Sequence, residues 1–573
     1  LIFEKLNSLE KEYIEVVYNV SSTLGCDASI INKELVNALI FRQIEIFEKN
    51  NMEVLSNIKD FDNIIRNICD CLERKQKITK IKLEHILLNH IKKLTNSKRQ
   101  GEIRRVIESK RKWSVNKFIK KFDFELFKSV NIWLLTPEVV SEILPLETGI
   151  FDLVIFDEAS QMYVEKGIPS ILRGKKVVIA GDHKQLRPSN LGFGRIEVNL
   201  DELEEDEEIE AALEEESLLD LARFKYSNIV LNFHYRSKYE ELIAFSNYAF
   251  YKGRLYVAPN VVKPNTPPIE VHKLENGMWQ NRSNIVEARY VVNLLKKFFK
   301  ERKNNETIGI ITFNSNQRDL IDDLIDEECA INLEFRTQIL IEQERKKDGE
   351  DIGLFIKNIE SVQGDERDVI IFSIGYARNE NGRVITKFGW LNQKGGENRL
   401  NVAISRAKTK IHIVTSIIPD DLVVESAKND GPRYFKKYLE YAYAVSMGNS
   451  EMAKQILFSF GDDKKPRNII NFDSDFEHQV YDALVDRGYM VDTQIGIGGY
   501  SIDLAIKRDG RYILGIECDG KLYHSSNSAR ERDIHRQKYL ESRGWRIHRI
   551  WSPNWWNNPN KEIDKICMIV DEC

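Results

Sequence analysis

Polar side chains able to hold a metal ion follow two short apolar runs of the sequence. Asp157 and Glu158 follow the run in FDLVIFDEASQ, and Asp182 and Gln185 follow the run in VVIAGDHKQLRPS. Open α/β sheets bind ligands beyond the carboxyl ends of their strands, which is where these side chains would lie. Adjacent carboxylates repel each other unless a cation or a proton compensates them, and Mg²⁺ on a nucleotide would do so. One carboxylate would then hold the metal while the other orients water, and Gln185 would sense a terminal phosphate.

An Asp-Glu pair at the end of a strand can also cap a helix. The second run ends in the same kind of polar residues, and this repetition favours a ligand site.

A second group of acidic residues lies near the C-terminus. Period-two alternation predicts a hairpin over residues 500–524, with Asp503 opposite the apolar face of its first strand and with Glu517 and Asp519 on one face of the second. Three converging carboxylates predict a divalent metal, and metal-bound water can attack a phosphodiester. The alternative is a hairpin with solvated charges.

The pattern of apolar residues predicts the elements that position these groups. From residue 130 onward, helical segments alternate with the apolar runs LVIF, KVVIAG, NIVLNF, TIGIITF, DVIIFSIGY and KIHIVTS, which favour parallel strands buried on both faces of an α/β fold. Residues 1 to about 128 are predicted to be helical, because apolar residues recur there at helical spacing. The segment FEHQVYDALVDRGY predicts an amphipathic helix that carries Glu477.

Charge is unevenly distributed along the 573 residues. The formal net charge is −5, but residues 201–216 carry eleven acidic residues, and removing these eleven charges leaves +6. We interpret this run as a solvated or disordered insertion, with DNA mimicry or gating of a strand channel as the alternative. Residues 98–121 carry ten Lys or Arg around Trp113 and Phe118, a composition compatible with nucleic-acid binding or with a solvated helix face.

Seven scattered cysteines without zinc spacing favour a reducing, cytoplasmic compartment. The sequence contains neither a secretory signal nor an apolar run long enough to span a membrane.

The motifs in the middle of the chain resemble those of superfamily 1 helicases of the Upf1-like branch. DEASQ and GDHKQLRPS resemble motifs II and III, and the later motifs follow in order as LNFHYRS, IITFNSNQRDLI, IESVQGDERDVIIFSIGY and NRLNVAISRAK. The resemblance implies an AAA-type motor that uses ATP and Mg²⁺, with Asp157 as a metal ligand. It also implies that Arg236 and Arg406 reach the γ-phosphate. The remaining implied nucleotide-binding residues are Asp182, Gln363, Gly364 and Glu366.

The resemblance implies RecA-like P-loop motor domains, which are parallel sheets flanked by helices, with a helical insertion. The predicted divisions are a helical insertion or stalk over 1–128, the remainder of motor domain 1 over 129–225, motor domain 2 over 226–420, a linker over 421–470 and a nuclease domain over 471–573.

The phosphate-binding loop G-x-x-x-x-G-K-[ST] does not occur in the sequence. RGKKV and DGKLY contain Gly-Lys but lack the glycine frame and the hydroxyl residue. Because the chain starts at Leu1 rather than Met, we expect it to be a fragment whose Walker A loop lies upstream in the same polypeptide. The alternative is a motor that has lost its first half.

The last hundred residues resemble the PD-(D/E)XK fold and are similar to the very-short-patch-repair endonuclease group, through IECDGKLYH and RDIHRQKYLESRGWRIHRIW. The resemblance implies a small α/β restriction-endonuclease-like domain in which Asp503 and Glu517 bind Mg²⁺ and Glu477 is the helix glutamate. Asp519 stands where the family has lysine, and Lys521 could substitute for that lysine. Further residues that could contact the substrate, or could be ordinary surface groups, are His524, Arg532, Arg536 and Gln537.

Together these resemblances predict an ATP-dependent helicase or translocase with a metal-dependent endonuclease, of a type found in prokaryotic defence and repair. DNA is the favoured substrate, and RNA remains open. Two alternatives are a nucleic-acid-binding scaffold whose nuclease alone is active and a regulatory module in which both sites are degenerate.

Overall fold

The structure, a computed structural model, falls into two compact units, residues Leu1–Leu88 with Pro553–Asn558 and residues Asn89–Ser552 with Pro559–Cys573. The acidic run at 201–216 lies outside the described residues. The described ranges are 6–25, 28–53, 61–95, 99–188, 217–262, 264–302, 305–384, 388–425, 427–461, 474–496, 501–519 and 527–572.

The described part of residues 1–129 is almost entirely helical, as the spacing of apolar residues predicts. Asn7 caps the first helix by accepting a hydrogen bond from the Glu10 amide, and the Glu10 carboxylate accepts one from the Asn7 amide in return. The helices are α1 (Ser8–Leu24), α2 (Ala28–Asn50), α3 (Phe61–Thr95), α4 (Gln100–Glu108) and α5 (Val115–Ser129).

A small parallel sheet follows, in which β1 (Val154–Phe156) pairs with β2 (Val177–Ile179). Phe156 is buried against Leu218 and Leu219, whereas Ile155 on the same strand is exposed. The helices of this region are α6 (Pro137–Ile143), α7 (Val164–Leu172) and α8 (Leu218–Lys225).

The run NIVLNF is not a strand, so the prediction of a buried strand there is wrong. Its residues 228–232 carry no regular element, and the side chains of Ile229 and Leu231 are exposed. A strand depends on a paired neighbour, and in the described part of the chain the run forms only a single bridge, between Phe233 and Tyr256.

Five parallel strands form the main sheet, in the order β3-β9-β8-β4-β7. The runs TIGIITF, DVIIFSIGY and KIHIVTS all become central strands, as predicted. The strands of this region are β3 (Ile269–Lys273), β4 (Ile308–Thr312), β5 (Lys346–Lys347), β6 (Glu350–Asp351), β7 (Phe355–Asn358), β8 (Arg367–Ser373) and β9 (Ala407–Thr415).

Helices cover both faces of this sheet, and alternate residues of the central strands enter two separate cores, with Phe372 in one and Ile371 in the other. The structure corrects part of the predicted linker at 421–470, because Phe435 and Leu457 lie fully buried in the core that contains Phe372. The helices are α9 (Glu241–Tyr251), α10 (Ile285–Glu301), α11 (Ser315–Ile331), α12 (Leu333–Gln343), α13 (Gly396–Ile404), α14 (Gly431–Ser446) and α15 (Ser450–Phe458).

The C-terminal residues form a four-stranded sheet in the order β10-β11-β12-β13, with β12 and β13 parallel and the other pairs antiparallel. The predicted hairpin is present, and Ile502, Leu504 and Ile506 are buried on its first strand. The elements are α16 (Asp475–Asp486), β10 (Met490–Ile495), β11 (Ile502–Arg508), β12 (Arg511–Asp519), α17 (Asn527–Ser542), β13 (Ile547–Trp551), α18 (Ser552–Asn557) and α19 (Pro559–Asp571).

None of the helices in the described ranges combines the length and the apolarity that crossing a bilayer would need.

Candidate active sites

The carboxyl end of β1 presents two exposed carboxylates, those of Asp157 and Glu158. Backbone hydrogen bonds fix this turn, since Ala180 N donates to Phe156 O at 2.9 Å and Ala159 N donates to Ala180 O at 3.0 Å. Glu158 has a left-handed backbone with φ of 51°, a conformation that costs a non-glycine residue about 1–2 kcal/mol. This turn holds both acids at the edge of the sheet, where a ligand can reach them.

A hydrogen-bonded network holds Asp182 beyond the end of β2. Its Oδ2 accepts from Gln185 Nε2 at 3.0 Å and from the Tyr251 hydroxyl at 2.6 Å. Asn401 donates to Tyr251 Oη at 2.9 Å and to Lys184 O at 2.7 Å. Burial raises the pKa of Tyr251, and the charge of Asp182 raises it further, so the tyrosine remains a proton donor to Asp182. Sequence analysis missed Tyr251, which lies outside every motif, whereas Asn401 lies within NRLNVAISRAK.

The two predicted arginines lie close to each other. Arg236 donates from Nε to Glu366 Oε2, and Lys408 Nζ lies 2.9 Å from Glu366 Oε1. Arg406 is only 2% exposed, and burial together with the charge of Arg236 lowers its pKa to about 10. Although burial opposes it, the pKa of Glu366 lies below its usual value, because Lys408 and Arg236 stabilise its charged form.

Gln363 joins this group to the acids that follow β1. Its Nε2 donates to Glu158 Oε2 at 2.9 Å, across 205 positions of sequence. Its Oε1 is buried without a hydrogen-bond partner, and so is Oδ1 of Asn401. Gly364 follows with φ of 86°, a left-handed conformation that glycine adopts without strain. Buried unpaired acceptors are costly, so each of these two oxygens would gain from a ligand donor group or a bound water.

A second group of acids lies in the C-terminal sheet. The register that pairs Leu504 with Ile516 places Asp503 on β11 beside Glu517 on β12. Burial, together with the charges of Glu517 and Glu477, raises the pKa of Asp503 to about 7. The oxygen ligands of this group fit a hard dication such as Mg²⁺, and Arg536 offsets only part of their charge.

Each of these acids also has a partner within the protein. Asp503 Oδ2 accepts from the Cys518 amide at 2.8 Å, and Glu517 Oε1 accepts from Arg536 at 3.1 Å. Glu477 Oε2 accepts from Gln494 Nε2 at 3.3 Å. In the part of the chain that the structure describes, these three acids do not place one ligand atom each within 4.8 Å of one another.

Asp519 does not converge with the other acids as the sequence predicts. Its carboxylate is held in a bidentate ion pair with Arg549 on β13, at 2.6 and 2.7 Å. Gln537 donates to Glu541 on its own helix at 2.8 Å. Arg536 does reach the acidic group. The residues Lys521 and His524 and the side chain of Arg532 lie outside the described residues.

Helix α17 connects the C-terminal sheet to the segment that contains Arg236. The Tyr539 hydroxyl donates to His234 O and Arg543 donates to Tyr235 O, so both contacts meet the backbone just before Arg236. Trp545, which is 3% exposed, donates from Nε1 to Pro259 O at 2.9 Å. No sequence motif indicated this interface.

A basic and aromatic surface lies where helix α5 begins. The ammonium groups of Lys117 and Lys121 lie 4.5 and 5.4 Å from the ring centroid of Trp113. Together with neighbouring polar residues they line an open cavity of about 440 Å³. Phe118 packs instead against Phe122, with ring centroids 5.0 Å apart, so Trp113 is the better placed of the two predicted aromatics to stack on a base.

Comparison with known families supports two kinds of domain in the chain. Two family models described as "AAA domain", AAA_11 and AAA_12, match residues 28–191 and 213–417. The family model REase_MTES_1575 matches residues 476–569.

Curated relatives are named as helicases. The chain is 34% identical over 454 residues to "Uncharacterized ATP-dependent helicase MG140 homolog" of Mycoplasma pneumoniae, and 35% identical over 452 residues to "Uncharacterized ATP-dependent helicase MG140" of Mycoplasma genitalium. Each alignment covers 78% of the chain and 39% of the relative. "Uncharacterized ATP-dependent helicase MJ0104" of Methanocaldococcus jannaschii is 25% identical over 320 residues, which is 55% of the chain and 42% of that protein. The chain therefore spans about two fifths of the length of these relatives.

Proposed function

Because the chain joins AAA-type helicase domains of the Upf1-like branch of superfamily 1 to a restriction-endonuclease-like domain, we propose that it is part of an ATP-dependent DNA helicase or translocase with a metal-dependent endonuclease. The observation that carries the motor function is the pair of hydrogen bonds Gln363–Glu158 and Arg236–Glu366. These bonds bring residues from three separate motifs together, since Gln363 and Glu366 both belong to IESVQGDERDVIIFSIGY.

In this cleft, the chain's own residues would bind and orient the triphosphate. Asp157 would hold Mg²⁺, which neutralises phosphate charge, and Glu158 would orient the attacking water. Arg236 and Arg406 would stabilise the charge that develops on the γ-phosphoryl group. Glu366 pairs with Arg236 in this structure, so a γ-phosphate would compete with Glu366 for the guanidinium group. This exchange of partners provides a way for bound nucleotide to change the structure of the cleft.

For the nuclease, we propose that Asp503 and Glu517 hold Mg²⁺ with Glu477 close by. A bound dication would supply a nucleophilic water and neutralise the scissile phosphate. The raised pKa of Asp503 supports this assignment, because a carboxyl group kept beside two other acids gains most from a cation. Arg536 now offsets the charge of Glu517 and would contact a phosphate once a metal had taken its place beside Glu517.

We propose that the phosphate-binding loop is supplied by a segment of the polypeptide outside these 573 residues. The chain spans only 39% of its first two relatives and contains no G-x-x-x-x-G-K-[ST] sequence. The exposed apolar side chains of Ile155 and Val178 on β1 and β2 support this proposal, as do Ile229 and Leu231, because further strands would cover them.

DNA is the proposed substrate, and the surface formed by Trp113, Lys117 and Lys121 is a proposed contact for its backbone and bases. A role in phage defence or repair is part of the proposal and rests on the combination of motor and nuclease.

The test uses the full polypeptide that contains this chain, with Glu158→Gln for the motor and Asp503→Asn for the nuclease. Glu158→Gln should abolish DNA-stimulated ATP hydrolysis and leave magnesium-dependent cutting of single-stranded DNA in place. Asp503→Asn should do the reverse. Glu165→Gln and Asp509→Asn are matched controls, since both acids are exposed and lie outside the proposed sites, and both should keep both activities.

Other outcomes support the rival functions. Cutting without ATP hydrolysis in the unmodified protein would support a scaffold with an inactive motor. The absence of both activities would support a regulatory module, and equal losses in the control variants would remove the assignment of these acids.

A further inference from the structure

Three potential metal ligands share one face of the main sheet, at its edge strand. Glu270 and His272 lie two residues apart on β3, and His412 lies on the neighbouring strand β9, where Glu270 is its register partner. His272 Nε2 lies 3.0 Å from His412 Nδ1. The carboxylate oxygens of Glu270 lie 3.9 Å from His272 Nε2 and 3.7 Å from His412 Nδ1. Within the described ranges, Glu270, His272 and His412 form the group of His, Cys, Asp or Glu side chains in which one ligand atom from each residue lies within 4.8 Å of the others.

We propose that Glu270, His272 and His412 bind one transition-metal dication of the zinc class, which would clamp β3 to β9. A tetrahedral ion with bonds of about 2.0–2.1 Å holds its ligand atoms about 3.3 Å apart. The ligand atoms are separated by 3.0, 3.7 and 3.9 Å, one distance below this value and two above it. Small rotamer changes would therefore bring the three ligand atoms into tetrahedral positions around one ion. Two imidazoles and one carboxylate suit zinc or cobalt better than magnesium.

The surroundings orient the ligands. The Tyr290 hydroxyl, on α10, lies 3.0 Å from His272 Nδ1, which directs Nε2 of the same ring toward His412 and Glu270. Ligating histidines commonly use their second nitrogen in this way.

Lys410 is the competing cation at this site. Its Nζ lies 2.7 Å from Glu270 Oε2 and 3.2 Å from Thr266 Oγ1. The other carboxylate oxygen, Oε1, is the one that lies 3.9 Å from His272, so Glu270 could bind the ion through Oε1 and keep Lys410 on Oε2. The lysine charge would still oppose a dication, and removing it should strengthen binding.

The position of the site indicates a structural role. In the described structure β3 pairs only with β9 on one side, and on its other side Val271 N donates to Ser446 Oγ at 3.0 Å. An ion held by both strands would secure this edge. The inference does not depend on the proposed motor or nuclease activity, since none of its residues belongs to either site.

The experiment measures binding of Co²⁺ and Zn²⁺ to the chelator-stripped protein, with thiols blocked so that cysteines do not contribute. The unmodified protein should bind one Co²⁺ with visible d–d absorption typical of four-coordinate nitrogen and oxygen ligands, and Zn²⁺ should displace it. His412→Gln and His272→Gln should each weaken binding at least 100-fold. His478→Gln, an exposed histidine beside Asp482, is the matched control and should bind as the unmodified protein does.

Two variants that leave all three ligands in place keep the test decisive if the histidine variants fold poorly. Lys410→Met should strengthen Co²⁺ binding about tenfold, and Tyr290→Phe should weaken it about tenfold. The proposal is overturned if the unmodified protein binds no more Co²⁺ than His412→Gln does, or if Lys410→Met leaves the affinity unchanged.

Discussion

Glu287, at the start of α10, is a fully buried carboxyl group that offers a direct test of electrostatics in the main sheet. It is 0% exposed, and burial raises its pKa from 4.5 to about 7. No ion pair to this carboxylate occurs among the described residues. Its oxygens accept hydrogen bonds from neutral donors, which are Asn284 Nδ2 at 3.0 Å, Ser416 Oγ at 2.8 Å, Ser373 Oγ at 3.3 Å and Gly375 N at 2.7 Å.

The raised pKa makes stability depend on pH in a definite direction. Below pH 4.5 the group is protonated in both the folded and the unfolded state. Between pH 4.5 and 7 the unfolded chain loses this proton while the folded chain keeps it, so the folded state loses stability as pH rises. Raising a pKa from 4.5 to about 7 corresponds to about 3 kcal/mol in the free energy of unfolding.

Glu287→Gln removes the titration and keeps a similar shape. Relative to the unmodified protein, the variant should therefore gain up to about 3 kcal/mol between pH 5 and pH 8. Hydrogen exchange of peptides from β8 and β9 measures the local opening free energy at each pH, because Ser373 ends β8 and Ser416 follows β9.

Glu342→Gln is the matched control, since Glu342 is equally buried but is paired with Arg302 at 2.6 Å and Arg345 at 3.1 Å. This variant should be less stable at pH 8, because it leaves two arginines without their partner. A stability difference between Glu287→Gln and the unmodified protein that stays constant from pH 5 to pH 8 would refute the reasoning.

Three further predictions concern the motor, the interface and DNA binding. Arg236→Gln should lower DNA-stimulated ATP hydrolysis about 100- to 1,000-fold in the full polypeptide, measured as the turnover number. Trp545→Ala should destabilise the protein by about 3–5 kcal/mol, measured by urea unfolding, because a side chain that is 3% exposed leaves a cavity at the interface. Lys117→Gln and Lys121→Gln should each reduce the slope of log affinity for single-stranded DNA against log salt by about 0.7, whereas the exposed Lys175→Gln should not.

Sequence patterns predicted the central strands of the main sheet well, because β4 and the interior of β8 are apolar and buried on both faces, and β9 contains the buried apolar residues Ile411, Ile413 and Val414. They missed β3, because apolar and polar residues alternate in its sequence IEVHK at the edge of the sheet. They also missed β7, because it is only four residues long. The linker prediction failed over α14, although the sequence RYFKKYLEYAYAV has apolar residues at helical spacing. The segments NDGP at the start of α14 and GDDKKPRN after α15 favour turns and loops.

The candidate sites were predictable only in part, because side chains meet through tertiary contacts that spacing does not reveal. The contact between Glu158 and Gln363 spans 205 positions; the resemblance assigned both residues to nucleotide binding but did not predict the hydrogen bond between them. The partner of Asp519 could not be inferred, because Arg549 faces it only through the parallel pairing of β12 with β13. Tyr251 carried no local signal at all.

The two acidic groups differ in the source of their compensating charge. In the motor cleft, Glu366 is paired with Arg236 and Lys408, so its charge is satisfied before any ligand binds. In the nuclease group, Arg536 reaches Glu517 while the pKa of Asp503 stays raised, so at neutral pH a proton shares the site with this arginine. Binding of a dication at the proposed Asp503–Glu517 site would displace that proton, so the proposed cutting activity should increase as the pH rises through about 7, as a pH–rate profile of cutting would measure.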